Sequence, residues 1–269
     1  MQLVDRDQQI RIADPDDPRI ADFRNIRERD LLRDRQTFIC EGKTVLNVLV
    51  SPQSRFGVKS LLILENRIEG CGSILAQTPT DVPVYVASAE VMDAIAGFPI
   101  HRGVLAAAHK THPQIDLSSA RRIVIASAIS NHDNVGALFR NAAAFGFDAV
   151  LLDDQCCEPL YRKAIRVSVG GVLRVPFAHG GNIETLCAQA QSHGLSSIAL
   201  ATKGDVELAA WKPSARVALL VGSEGKGLPN AILQTLETVT IPMHAGFDSL
   251  NVATAAAIAM HHVSATDTR

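Results

Sequence analysis

From Phe38 onward the chain alternates short aliphatic runs with stretches of helical spacing: FIC, GKTVLNVLVS, VKSLLIL, VPVYVA, SAEVMDAIAGF and GVLAAAH. Runs and spacings of this kind predict an α/β arrangement. Ser88, ahead of Ala89-Glu90-Val91, is placed to cap a helix whose first turn carries an acid at the positive end of the helix dipole. The polar stretch HKTHPQIDLSSA, with Pro113, breaks the pattern and predicts a linker over 109–120. Beyond it the rhythm resumes with strand 122–127, a helix over 134–145, strand 147–152, a helix over 160–167, strand 172–176 and helix 181–193. Strands 196–201 and 216–221, a helix after Pro229, strand 238–241 and a closing helix 250–262 complete it. Nearly continuous aliphatic strands between helices predict a parallel sheet covered on both faces. Ligands of such sheets bind beyond the carboxyl ends of the strands. The loops after 122–127, 196–201, 216–221 and 238–241 are therefore the ones to inspect.

The chain's 269 residues suit two domains, and 47% hydrophobic with 20% charged residues excludes a wholly disordered chain. We divide it into a charged arm and helix at 1–36, a smaller α/β domain at 37–110 and a larger one at 121–269. Residues 1–36 hold 8 Arg and 9 Asp or Glu, interleaved as in a solvated, salt-bridged surface. The formal charge of -2 excludes overall polycationic character, so any nucleic-acid contact must rest on a local patch. A charged start and the absence of an apolar window long enough to span a bilayer predict a cytoplasmic protein without membrane contact. Five cysteines without a C-x-x-C pair, and nine scattered histidines, point to neither a disulfide framework nor a metal site.

Three loops could carry chemistry. The first, Ser130-Asn131-His132-Asp133-Asn134-Val135-Gly136, opens a helix that carries Arg140 six residues after Asn134. Asn134 is read either as the helix cap or as a functional amide, and Arg140 either as surface or as a group meeting a phosphate or ribose near the helix start. The second, Val221-Gly222-Ser223-Glu224-Gly225-Lys226-Gly227-Leu228, matches neither G-x-x-x-x-G-K-[ST] nor G-x-G-x-x-G. Its glycines allow sharp turns and close approach of the backbone to a ligand. The third, Ile241-Pro242-Met243 through Ser249-Leu250-Asn251-Val252-Ala253, runs into an Ala-rich helix, with Ser249 and Asn251 read as caps or as polar groups beside the Gly-rich loop.

Taken in order, N-V-G-x-x-x-R-x-A-x-x-F-G at 134–146, V-G-S-E-G-x-G-L at 221–228 and I-P-M with S-L-N-V-A at 241–253 resemble the TrmH/SpoU type of SPOUT RNA methyltransferases. Arg162 through Gly171, followed by Val175-Pro176, looks like the family too. Phe38-Ile39-Cys40-Glu41-Gly42 and Arg102-Gly103-Val104-Leu105-Ala106 are similar to the ribosomal-protein-like RNA-binding domain that many members carry first. Asn131-His132-Asp133 departs from the Asp-Pro pair that many members have there.

The resemblance implies a parallel α/β domain with a deep C-terminal trefoil knot, which ordinary connection rules would not allow one to derive. It also implies bound S-adenosylmethionine and a homodimer that completes the site. By position it assigns Asn134, Arg140, Glu224, Ser249 and Asn251 to catalysis, and Ala201, Thr202, Gly222, Ile241 and Leu250 to the cofactor. The implied reaction is methylation of a ribose 2′-hydroxyl in structured rRNA or tRNA, rRNA favoured by the two-domain layout. A neutral hydroxyl needs in-line placement and help in losing its proton. Arg140 is the family's proposed base, although guanidinium groups ordinarily anchor phosphates or oxyanions. Arg162, Lys163 and Arg166, with Arg174, form a candidate RNA-facing cluster. The competing readings are a non-catalytic RNA-binding or ribosome-assembly protein on the same fold, and base methylation.

Overall fold

A computed structural model describes residues 9–24, 28–96, 103–111, 115–244 and 249–266. In chain order the elements are β1 (Gln9–Ile12), α1 (Glu28–Asp34), β2 (Thr37–Glu41), α2 (Lys43–Leu49), β3 (Val58–Leu64), α3 (Gly72–Gln77), β4 (Val84–Ala87), α4 (Ala89–Ala96) and β5 (Val104–His109). There follow β6 (Arg122–Ala126), α5 (His132–Ala144), β7 (Ala149–Leu152), α6 (Arg162–Val167), α7 (Gly171–Arg174), β8 (Phe177–His179) and α8 (Ile183–Ser192). The last are β9 (Ser196–Leu200), β10 (Val206–Glu207), β11 (Val217–Val221), α9 (Asn230–Leu233), β12 (Glu237–Thr240) and α10 (Val252–Thr266). Contacts gather the chain into two compact units, Met1–His112 with Leu160–Arg174, and Pro113–Pro159 with Val175–Arg269.

The first unit carries a sheet of order β1-β4-β3-β5-β2, in which β5 runs antiparallel to both its neighbours. Ser88 Oγ accepts the Val91 amide at the start of α4, the cap foreseen from the sequence. Residues 9–24, with Leu31, depart from the solvated arm expected of their charge. Ile12, Ile20, Phe23 and Leu31 are buried in the core with Leu62 and Leu105. The charges are accommodated by pairing at the rim: Arg24 with Asp16, and Arg35 and Lys59 with Asp22. An alternating charge pattern thus concealed four core positions. Asp22 is held below the usual carboxylate range by hydrogen bonds from Lys59 and Arg35, which outweigh its desolvation.

The segment read as strand 172–176 is instead helix α7, followed by β8 at Phe177–His179. The Ser168 carbonyl accepts the Gly171 amide and its hydroxyl accepts Val172 N, which coils this apolar run. A short apolar run does not distinguish a buried helix from a strand. Within the linker, residues 112–114 lie outside the described residues, while Leu117 and Ala120 are already in the second core.

The second unit is a seven-stranded, wholly parallel sheet of order β10-β12-β9-β11-β6-β7-β8. One face buries Ile123, Ile125, Ala218 and Leu220 against Ile183, Leu186 and Ala190 of α8 and Ile232 of α9. Helices α5 and α10 pack on one another and reach β7 and β11 respectively. Ile125, Leu220, Ala199 and Thr238 form one row across four strands. Two residues further along, Ser127, Gly222, Ala201 and Thr240 therefore emerge together at the carboxyl edge.

A buried carboxylate fixes that edge at β6 and β7. Asp153 is 1% exposed and accepts from Ser127 Oγ at 2.6 Å, Ala128 N at 3.0 Å and Cys156 N at 3.0 Å. Burial raises the Cys156 thiol well above its usual range, and it donates to Ala126 O while accepting Ile129 N. The turn leading to α5 is thus bound on both sides. Asp153→Ala leaves the buried Ser127 hydroxyl and the Ala128 amide without their carboxylate partner, while Cys156 N keeps its bond to the Asp153 carbonyl, and is expected to lower the unfolding free energy by about 2–4 kcal/mol. Trp211, the single tryptophan and part of this unit, reports the transition by fluorescence; an unmoved denaturation midpoint would refute the clamp.

Candidate active site

The N-cap of α5 is Asn131, whose side chain accepts Asp133 N at 2.9 Å, and not Asn134. Ser130, Asn131, Asp133 and Asn134 all belong to residue types that cap well, so composition does not choose among them. With the helix beginning one turn earlier than expected, Asn134 lies inside the first turn and is buried, and Arg140 opens the third turn instead of standing in the second. The Arg140 side chain is exposed and makes no hydrogen bond or ion pair with the described residues.

Asn134 is held by residues far away in sequence. Its Nδ2 donates to Glu224 Oε1, and its Oδ1 accepts from Asn251 Nδ2 at 2.9 Å. Asn251 caps α10, its Oδ1 accepting Ala253 N at 3.0 Å and Thr254 N at 3.1 Å. These bonds have only one consistent direction. Two backbone amides require Asn251 Oδ1 as acceptor, so Asn251 Nδ2 must donate, Asn134 Oδ1 must accept, and Asn134 Nδ2 faces a group that only accepts when ionised. The relay joins the segments after β6, β11 and β12, the three loops singled out in the sequence. Glu224 itself is exposed, so solvent screens the charged end of the relay, while the Asn134 side of it is buried.

The Gly-rich loop folds back upon itself. A Cβ at Gly222 would overlap the backbone of Gly227 and Leu228, Gly227 has φ +67°, and Gly227 N donates to Ser223 O at 3.0 Å. Glycine at 222 is needed for closure of the turn, which carries Glu224 towards Asn134.

The five positions assigned to a cofactor divide into two sets. Ala201, Gly222 and Ile241 are half-buried at or just beyond the row where β9, β11 and β12 end, and Thr202 follows with its carbonyl accepting Thr240 Oγ1 at 3.1 Å. Leu250 is 40% exposed beside Ser249, which is also exposed and takes no part in the relay. Residues 245–248 lie outside the described residues. Of the basic cluster, Arg162 is within 3.9 Å of Glu41, whose side chain is 5% exposed, while Lys163 and Arg166 are exposed on α6; all three belong to the first unit.

Inspection of the loops alone missed Asn141. Its Nδ2 donates to Ala253 O at 2.9 Å, a second polar tie between α5 and α10. Its spacing of seven residues from Asn134 was the available signal, since that interval returns to nearly the same helix face.

Residues 121–261 match the model of the SpoU rRNA Methylase family. A Mycobacterium bovis protein named as an uncharacterized tRNA/rRNA methyltransferase is 38% identical, the alignment covering 93% of this chain and 90% of that one. The Bacillus subtilis 23S rRNA (guanosine(2553)-2′-O)-methyltransferase RlmP is 25% identical, covering 91% and 95%. The AdoMet-bound rRNA methyltransferase of Sinorhizobium meliloti superposes with a TM-score of 0.79 at 22% identity, covering 95% of this chain and 97% of that one. A convergent edge built from the three motifs and a relative alike over nine-tenths of its length lead to one assignment: the chain belongs to the SpoU rRNA methylase family of RNA methyltransferases.

Proposed function

We propose that the chain methylates a ribose 2′-hydroxyl of a structured RNA, rRNA in preference to tRNA, with S-adenosylmethionine as methyl donor. The observation that carries this reading is the relay from Glu224 through Asn134 to Asn251, which gathers three loops at one sheet edge and leaves the cationic Arg140 exposed on the helix that begins there. The 2′-O activity in the name of RlmP, and the AdoMet bound to the Sinorhizobium meliloti structure, support it.

The edge suits this cofactor. Strand-end backbone groups at Ala201, Thr202 and Gly222 offer polar partners to a purine edge, and the side chains of Ile241 and Leu250 offer apolar surface to its flat faces. When bound, S-adenosylmethionine supplies an electrophilic methyl group on a sulfonium sulfur. Arg140 anchors the ribose oxygen, or the phosphate beside it, as negative charge develops and the hydroxyl proton passes to solvent water. Asn134, Glu224 and Asn251 hold the loops in register, and Ser249 supplies a hydroxyl next to Asn251 for orienting substrate or cofactor. Lys163 and Arg166 contact RNA phosphates from α6, and Arg162 does so while paired with Glu41. The C-terminal segment is threaded as the family's trefoil knot, and the enzyme acts in the cytoplasm. No helix among the described residues is long and apolar enough to cross a membrane.

A second copy completes the enzyme. A groove of about 510 Å³ lined by Leu208, Ile241, Pro242, Ile258, His261 and His262 runs beside α10, and Ile258 is 40% exposed there. Sedimentation of the free protein as a homodimer is the expected result.

Arg140→Ala is expected to lower methyl transfer from labelled S-adenosylmethionine into total RNA by about 100-fold or more, with cofactor affinity changed less than about threefold. Nucleoside analysis should find the wild-type label on a 2′-O-methyl nucleoside; a labelled base, or full activity of the variant, would refute the reading. Asn251→Asp keeps the cap but turns an acceptor towards Asn134 Oδ1. We expect thermal stability within about 3 °C of wild type and a loss of activity of about tenfold or more. Equal activity at equal stability would dismiss the relay as incidental.

A further inference from the structure

We propose that Asn141 is a positioning residue that sets the rotation of α5 and thereby aims Arg140, an inference that rests on the catalytic role given to Arg140 above. Asn134, Leu138, Asn141 and Phe145 recur at intervals of four, three and four residues, which places them on one face of α5. That face meets α10. Asn134 bonds Asn251, Asn141 Nδ2 donates to Ala253 O at 2.9 Å, and the Phe145 ring stands edge-on to His261 with centroids 5.7 Å apart. The partners advance along α10 in the same order as along α5.

The buried Val135, Leu138, Phe139 and Ala142 set the coarse rotation of α5. The tie at Asn141, seven residues and about 10 Å beyond the one at Asn134, limits the small rotations that such packing still permits. A short Asn side chain reaches a main-chain carbonyl only where the helices approach closely. The buried Ala142 on α5 and Ala253, Ala256 and Ala259 on α10 allow this, Ala256 and Ala259 being fully buried. Arg140 precedes Asn141 directly, so its side chain leaves the helix roughly 100° away from the tied face, on the exposed side. The two faces turn as one body. A rotation of α5 that left the core intact would carry the guanidinium away from its substrate, and misplacement by about 1 Å can cost a hundredfold in rate.

The test compares Asn141→Ala, Asn141→Asp and Asn141→Gln in the full chain. Asp keeps the shape but loses the donor; Gln keeps the donor. We expect kcat to fall about 10- to 50-fold in Ala and Asp, with KM for RNA and Kd for S-adenosylmethionine within about threefold, and Gln to recover most of the loss. Because Asn141 acts through Arg140, Asn141→Ala should cost less than about twofold on an Arg140→Ala background. In the free protein the Arg140 Nε–H signal of 15N-labelled samples should shift in Asn141→Asp and stay near its place in Asn141→Gln. Full activity of Asn141→Asp, additive losses in the double variant, or an unmoved Arg140 signal would each overturn the proposal. So would a loss of folding in Ala and Asp that accounts for all the lost activity. Should wild type label no RNA, the methylation reading fails alone, and the Arg140 signal in the free protein still decides the role of Asn141.

Discussion

The site depends on the polarity of one amide. Asn134 is buried between a carboxylate and a second amide, and only one orientation of its side chain satisfies both. That orientation is imposed from a distance by the first turn of α10, whose two free amides occupy Asn251 Oδ1. A helix cap, ordinarily a local device, here determines which way a hydrogen bond points across the ends of three strands. The consequence is mechanical: the loops after β6, β11 and β12 cannot move separately without leaving a buried polar group unpaired.

The parallel sheet makes this arrangement possible. Strands running in one direction bring all their carboxyl ends to one edge, so residues 90 and 117 positions from Asn134 in sequence come within reach of its side chain. Asp153 secures the β6–β7 side of that edge and the folded-back turn at Gly222 secures β11. Asp153 lies outside the relay and the cofactor positions, so substitutions there need not damage the relay itself.

Much of this was legible in the sequence. The alternation of aliphatic strands with helices located nearly every element of the second unit, and the order of the motifs indicated which loops would meet. Four things were hidden, each for a physical reason. Four neighbouring residues with similar capping propensity concealed which of them begins α5, and this moved Arg140 by a turn. The run at 172–176 is apolar enough to suit either element, and hydrogen bonds from Gly171 N and Val172 N to Ser168 decide for a helix. Charges at 9–24 and at Arg33 and Arg35 pair along a rim and mask the core positions Ile12, Ile20 and Phe23, because composition counts charges and not their partners. Asn141 was hidden for another reason: its role depends on how close α10 lies, and no local pattern encodes the distance between helices.

The direction of the relay can be observed directly in side-chain amide spectra of 15N-labelled protein, before and after Glu224→Ala. The account predicts that removing the acceptor at one end shifts the Asn134 Nδ2 protons and, through that amide, the Asn251 Nδ2 protons as well, with the α10 backbone amides unchanged. An Asn251 signal indifferent to the loss of Glu224 would contradict it.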